Sequence, residues 1–218
     1  MCLALLRDEL GSVLMTDGNH AFVHFSFHAS LFGVLWAFSP DMSSCINNCN
    51  LIIQPGGVKM LETRYGDWIE TYTGVKFYPF DPRLEEIVVE DMIHAVCNLC
   101  RFGGHSKIFY SVGQHSLMVY RYLTDRNYSP SVRLYGLTHD FTEAYLIDLP
   151  RPIKRMLIDY QRMEERLFDL IWQSFGAPKL DDDDIEAVKK ADDIVLSHEA
   201  RVLGVNKNKW AQHVDLGY

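Results

Sequence analysis

The segment "GLTHDFTEAYLIDLPRPIK", residues 136–154, sets His139 beside Asp140, with Glu143 three residues on and Asp148 just past it. Adjacent imidazole and carboxylate groups can give a nitrogen and an oxygen to one divalent cation. On a helix, positions i and i+3 share a face. Glu143 therefore lies over Asp140 and beside His139, where it can hold and deprotonate a water at that cation. Two ligands do not complete a site. Further candidates in suitable surroundings are His115 in "SVGQHSLMV" and Asp192 in "VKKADDIVL", each in an apolar-flanked helical stretch.

These residues need helices to bring them together, and the helices are readable from Met60 onward. "IETYTGVKFYPF" alternates about a Thr-Gly turn and predicts a small β-hairpin. "DPRLEEIVVEDMIHAVCNLC" reads as a helix with Asp81 as N-cap, Pro82 at its first position and one apolar face of Val89, Ile93, Val96 and Cys100. Further helices are predicted over 111–123, 131–147, 160–175 and 183–203, separated by loops of Asn, Ser, Pro and Gly. The aspartates at 181–184 read as an acidic helix start and not as a cation site. Residues 60–218 are expected to form an all-α single domain with a hairpin ahead of its first helix.

Residues 1–59 carry two basic side chains and no helix of convincing period. Two readings stand. In one they are an N-terminal extension, untranslated or poorly ordered, and the working chain starts at Met60. The glycine codons of "GGVKM" would then serve as a ribosome-binding sequence just ahead of the Met60 codon. In the other they are a genuine appendage that packs on the domain or meets a partner.

A net charge of −8 leaves no basic footprint for a nucleic-acid backbone, so long nucleic acid is excluded as a partner. Small phosphorylated molecules remain compatible, because a bound metal and a few local cations can hold a phosphate in an acidic protein. The apolar run 21–38 has the length of a membrane span but is interrupted by His24 and His28, and no membrane association is expected. Cysteines at 2, 45, 49, 97 and 100 form an odd set without a disulfide framework, which fits a reducing cytoplasm. For a viral protein that is the host's cytoplasm.

The ensemble resembles the HD-domain metal-dependent phosphohydrolases, whose pattern is a His, a His-Asp pair and a distal Asp on helices. Here these are His115, His139 with Asp140, and Asp192. The resemblance is closer to the short deoxynucleotide hydrolases of bacteria and phages. It runs through Arg101-Phe102, Gln114-His115-Ser116, the 139–154 motif "HD..EA...DLP.P.K" and the "KxAD" ending at Asp192, and covers about residues 70–203. It implies an HD-domain helical bundle in which His115, His139, Asp140 and Asp192 ligate one divalent cation. Two nitrogens and two carboxylates suit cobalt, zinc, manganese or iron better than calcium, with magnesium accompanying the phosphates.

In that scheme Glu143 handles the water and Asp148 assists. Arg101 and Lys154 clamp phosphate, with Arg151 and Lys107 extending the grip, and Phe102 offers a flat face to base or deoxyribose. "PRP" at 150–152 would stiffen the pocket wall, and His105 is left open as a substrate-facing group. The implied reaction is dATP and water to deoxyadenosine and triphosphate, as in the phage members, which deplete dATP. The alternative is 5′-deoxynucleotidase action on monophosphates, as in the bacterial ones. A catalytically inactive nucleotide-binding HD protein is the reading from another class. A four-thiolate zinc site of Cys45, Cys49, Cys97 and Cys100 is a separate rival. The expected partner is a small deoxynucleotide, and homo-oligomer formation is compatible with the sequence.

Overall fold

The computed structural model describes residues 2–16, 51–54, 57–60 and 63–213. The apolar run 21–38 and Cys45 and Cys49 of the thiolate reading lie outside the described residues. Those residues are mostly helical, in agreement with the all-α expectation. Two short antiparallel strand pairs accompany the helices. β1 (Leu51–Gln54) pairs with β2 (Gly57–Met60), which the sequence did not suggest, and β3 (Ile69–Glu70) with β4 (Lys76–Phe77), the expected hairpin. Gly74, at φ +87°, supplies the left-handed residue its turn requires. Asp91 secures that turn by accepting hydrogen bonds from Thr73 N (2.6 Å) and Thr73 Oγ1 (2.9 Å).

Asp91 belongs to α2 (Val89–Asn98), which starts seven residues later than the Asp81 cap would place it. The Asp81 carboxylate is taken by Arg64 Nε at 2.8 Å, and the same guanidinium holds Glu86. Only a 3-10 turn forms over Leu84–Glu86 before the extended Ile87 and Val88 lead into the helix. Cys100 falls beyond the helix, in a bridge to Ser111.

The helix at the N-terminal end was not anticipated. α1 (Cys2–Thr16) buries Leu6, Leu10 and Val13 in one core with Ile93, Val96, Val112 and Leu137. It rests on α2, on α3 (Val112–Asp125) and on α4 (Pro130–Thr138). At the seam Cys2 Sγ lies 3.0 Å from Cys97 Sγ. A Cβ on Gly113 would meet Leu6 Cδ1 at 2.9 Å and both sulfurs at 3.1 Å, so a larger residue there requires these side chains at the α1 seam to shift.

The expected helix over 131–147 is not continuous. α4 ends at Thr138 and α5 (Glu143–Leu146) starts after a tightened stretch, where Phe141 N bonds Thr138 O (2.9 Å) and Glu143 N bonds Asp140 O (3.1 Å). These i to i−3 bonds eclipse residues three apart, which stacks Asp140 and Glu143 more directly than an α-helix would. The short α6 (Arg151–Lys154) follows from the Pro-rich loop, and α7 (Ile158–Ser174) packs Phe168 and Trp172 on Tyr135 of α4. α8 (Asp182–Val202) opens with Asp181 accepting from Asp184 N at 2.8 Å, the acidic start the sequence predicts. A second apolar cluster of Val119, Leu123, Val132, Val188, Ala191 and Val195 joins α8 to α3 and α4. Among the described residues no helix is long and apolar enough to cross a membrane.

Candidate metal centre

Three pieces of backbone aim the central side chains. Ser111 caps α3 by accepting from Gln114 N (3.1 Å), while the Gln114 side chain accepts from Ser111 N (2.9 Å). Gln114 is thus a capping residue, and the box fixes the first turn of α3, on which His115 is fully buried. Backbone bonds from Arg101 N to Tyr110 O (2.9 Å) and Val112 N to Leu99 O (3.0 Å) lay residues 99–101 along that turn, bringing Arg101 beside His115. The tightened end of α4 presents His139 and Asp140, and α8, packed on α3, presents Asp192.

The four expected ligands converge. His115 Nε2 lies 3.0 Å from Asp192 Oδ1 and 3.6 Å from Asp140 Oδ2. His139 Nε2 lies 3.3 Å from Asp140 Oδ2 and 4.0 Å from Asp192 Oδ1. His115, His139 and Asp140 each offer a ligand atom within 4.8 Å of the others and could hold a metal ion; Asp192 closes in from α8. Ligand atoms bound at about 2.0–2.2 Å to one ion stand roughly 3–4 Å apart, the range of the four histidine–carboxylate separations here.

The buried ring nitrogens support the fit. His139 Nδ1 donates to Gly136 O at 2.9 Å, and His115 Nδ1 donates to Glu199, whose oxygens lie at 3.0 and 3.1 Å. Both Nε2 atoms are buried without a hydrogen-bond partner, although carboxylate oxygens stand close by. Close approach without hydrogen-bonding angles is what ligands around a shared cation require.

Charge follows the same geometry. Burial and Arg101 press His115 toward neutrality, but Glu199 and Asp192 outweigh them and lift its pKa to about 9. Burial alone would raise Asp140 and Asp192, yet the facing histidines hold both well below the usual carboxylate range. Glu143 goes the other way: burial, with Asp140 and Asp148 nearby, pushes its carboxyl well above that range. Its Oε2 is buried without a hydrogen-bond partner. Asp148 is also raised, chiefly by burial.

The basic residues are present but engaged. Arg101 Nη1 lies 3.1 Å from Asp140 Oδ2, and its guanidinium sits 5.7 Å from the Phe102 ring. Phe102 adopts φ +59° and Gly103 φ +57°, a left-handed bend that turns the chain back beside Arg101. Lys154 Nζ meets Glu164 Oε1 at 2.5 Å. Arg151 bridges Asp192 Oδ2 (3.0 Å) and Asp193 Oδ1 (2.6 Å). Lys107 lies against Gly204, and His105 is exposed. An open cleft of about 300 Å³ reaches His139 past Tyr135, Thr142 and Phe168 and is rimmed by Glu164 and Glu165.

The sequence reading missed Glu199 and Tyr110. Glu199 is buried and also accepts from Tyr110 Oη at 2.8 Å. A signal did exist: Glu199 is two helical turns, seven residues, after Asp192 and so lies on the same face of α8. Ile147, directly before Asp148, was missed as well. It holds φ +64° and ψ 153°, a conformation that favours glycine, while its carbonyl accepts from Tyr160 Oη at 2.7 Å.

The chain is similar to two curated bacterial proteins. It is 38% identical over 139 residues to the uncharacterized protein YfdR of Escherichia coli K12, a match spanning 64% of this chain and 74% of that one. It is 30% identical over 141 residues to an uncharacterized protein of Rhodobacter capsulatus, spanning 61% of this chain and 71% of its relative. No protein-family model matches the chain.

Proposed function

The chain belongs to the family of the Escherichia coli protein YfdR, and from the geometry of its site and its motifs we propose that it is a metal-dependent phosphohydrolase of the HD type acting on 2′-deoxynucleotides. One observation carries the reading: imidazole and carboxylate atoms from α3, the end of α4 and α8 come together, with the buried Glu143 near Asp140 and its Oε2 without a hydrogen-bond partner. His115, His139, Asp140 and Asp192 would hold the cation. When bound, a divalent cation supplies Lewis acidity to a phosphoryl oxygen and lowers the pKa of water.

The chain's own groups do the rest. Glu143 accepts the proton of the attacking water, and Asp148, close enough to raise Glu143, shares in holding it. Arg101 places a fixed positive charge at Asp140, where the phosphoryl group would sit. Phe102, on its left-handed bend, presents its ring to the sugar or base. The reaction we assign is hydrolysis of dATP to deoxyadenosine and triphosphate.

A second reading, hydrolysis of deoxynucleoside monophosphates, is favoured by a specific feature. Arg101, Lys154 and Arg151 each already face a carboxylate, which leaves little positive charge for a long polyphosphate. The test is turnover of the full chain with cobalt, zinc or manganese and a panel of deoxy- and ribonucleotides, with products separated by chromatography. Triphosphate release supports the first reading and orthophosphate the second. No hydrolysis with any metal, by a protein that binds nucleotide, would instead support the inactive binding protein.

A further inference from the structure

Four residues account for the cation, but none of them explains why His115 presents Nε2 to it. The ring lies wholly inside the protein, and its other nitrogen faces both oxygens of Glu199 at 3.0 and 3.1 Å. Glu199 is itself only 4% exposed, accepts from Tyr110 Oη at 2.8 Å and stands 3.6 Å from Arg101 Nε. A buried carboxylate left without donors is costly, so this one is retained by what it holds. It holds the histidine's N–H on one side and the arginine's charge on the other.

We propose that Glu199 is the positioning residue of the centre. It keeps the His115 proton on Nδ1, so that the Nε2 lone pair points at the cation, and it anchors Arg101 over Asp140. The tautomer and orientation of a ligating histidine are set by the partner of its second nitrogen. Glu199 thereby joins cation affinity and phosphate binding through one carboxylate. Tyr110 completes the arrangement by fixing one Glu199 oxygen. The inference rests on the metal-centre reading above.

The experiment uses the full chain, stripped of metal, with Co²⁺ or Zn²⁺ affinity measured by competition against a chromophoric chelator. Glu199→Met removes the acceptor at similar volume and is expected to weaken binding by about 10- to 100-fold. Glu199→Gln keeps an oxygen for Nδ1–H and is expected to retain much of that affinity. ¹⁵N spectra of the histidines provide a readout that a purely structural role would not move. With Zn²⁺ bound, they should show Nδ1–H and a deprotonated Nε2 at His115 in the wild type and Gln variant, and the loss of that pattern in the Met variant. Should Glu199→Met fail to fold, Tyr110→Phe, which removes one hydroxyl, is expected to weaken metal binding a few-fold. Wild-type affinity in the folded variants, with the His115 tautomer unchanged, overturns the role of Glu199. A wild-type chain that binds neither ion overturns the metal-centre reading instead.

Discussion

Two buried regions of this protein are held together by different physics. At the metal centre, polar atoms meet about 3 to 4 Å apart, and each imidazole Nε2 faces the carboxylates of both Asp140 and Asp192. At the α1 seam, Leu6, Leu10 and Val13 are as deeply buried but contribute only shape and apolar area. The centre should therefore fail through chemistry at nearly constant volume, while the seam should fail through volume at constant chemistry.

The largest effect tests the centre. Alanine at His115, His139, Asp140 or Asp192 is expected to abolish both metal binding and turnover. Glu143→Gln is expected to lower the rate by ~10² to 10⁴ with metal content near normal. Metal analysis beside kinetics separates the two outcomes, and loss of metal in Glu143→Gln would move that residue among the ligands.

The seam comes next. Leu6→Ala is expected to cost about 2–5 kcal/mol of stability, read by denaturant unfolding, without changing metal affinity. A chain starting at Met60 keeps every proposed ligand and should still bind metal, but with a lower melting temperature. An unchanged melting temperature would show that α1 adds nothing to the fold.

A pH series sharpens the contrast. The His115 pKa of the metal-free fold lies near 9, above its ordinary 6.5, so protons compete with the cation below that point. Metal affinity should rise with pH and level off above about 9. The sign reverses for the metal-free fold: the His115 contribution is fully present below 6.5 and is lost as pH rises through about 9. Isothermal titration and melting of the stripped protein check both signs, and the Leu6 contribution should not vary across the series.

The smallest effect is at Ile147. A β-branched residue at φ +64° bears strain of about 1–3 kcal/mol. Glycine would relieve it while adding about 0.5–1 kcal/mol of backbone entropy cost. Ile147→Gly is expected to raise stability by about 1 kcal/mol, measured by denaturant unfolding.

His139 and Asp140 were legible as candidate ligands from residue type and spacing, since a His-Asp pair with Glu143 one turn on is a chemical statement before any fold is known; His115 and Asp192 were candidates by context and joined the set through the family resemblance. Glu199 was not legible, since an isolated glutamate gains meaning only when α8 is rotated against α3. α1 escaped for another reason. Its Leu6, Leu10 and Val13 do follow helical spacing, but Leu3, Ala4 and Leu5 are apolar too and blur the buried face. The broken helix at 139–142 was hidden as well, because the tightening comes from i to i−3 backbone bonds that leave no mark on side-chain pattern. The Asp81 cap misled because a distant residue, Arg64, competes for the same carboxylate.

α8 touches one imidazole at both of its nitrogens, with Asp192 at Nε2 and Glu199 at Nδ1. The helix therefore acts as a gauge whose setting is the number of residues between those two carboxylates. Inserting or deleting one residue between them would turn one relative to the other by about 100° and shift it by about 1.5 Å. Every chemically necessary side chain would survive such a change, yet the ring could no longer be gripped from both ends. Between 192 and 199, substitutions on the solvent face should be tolerated and changes of length should not.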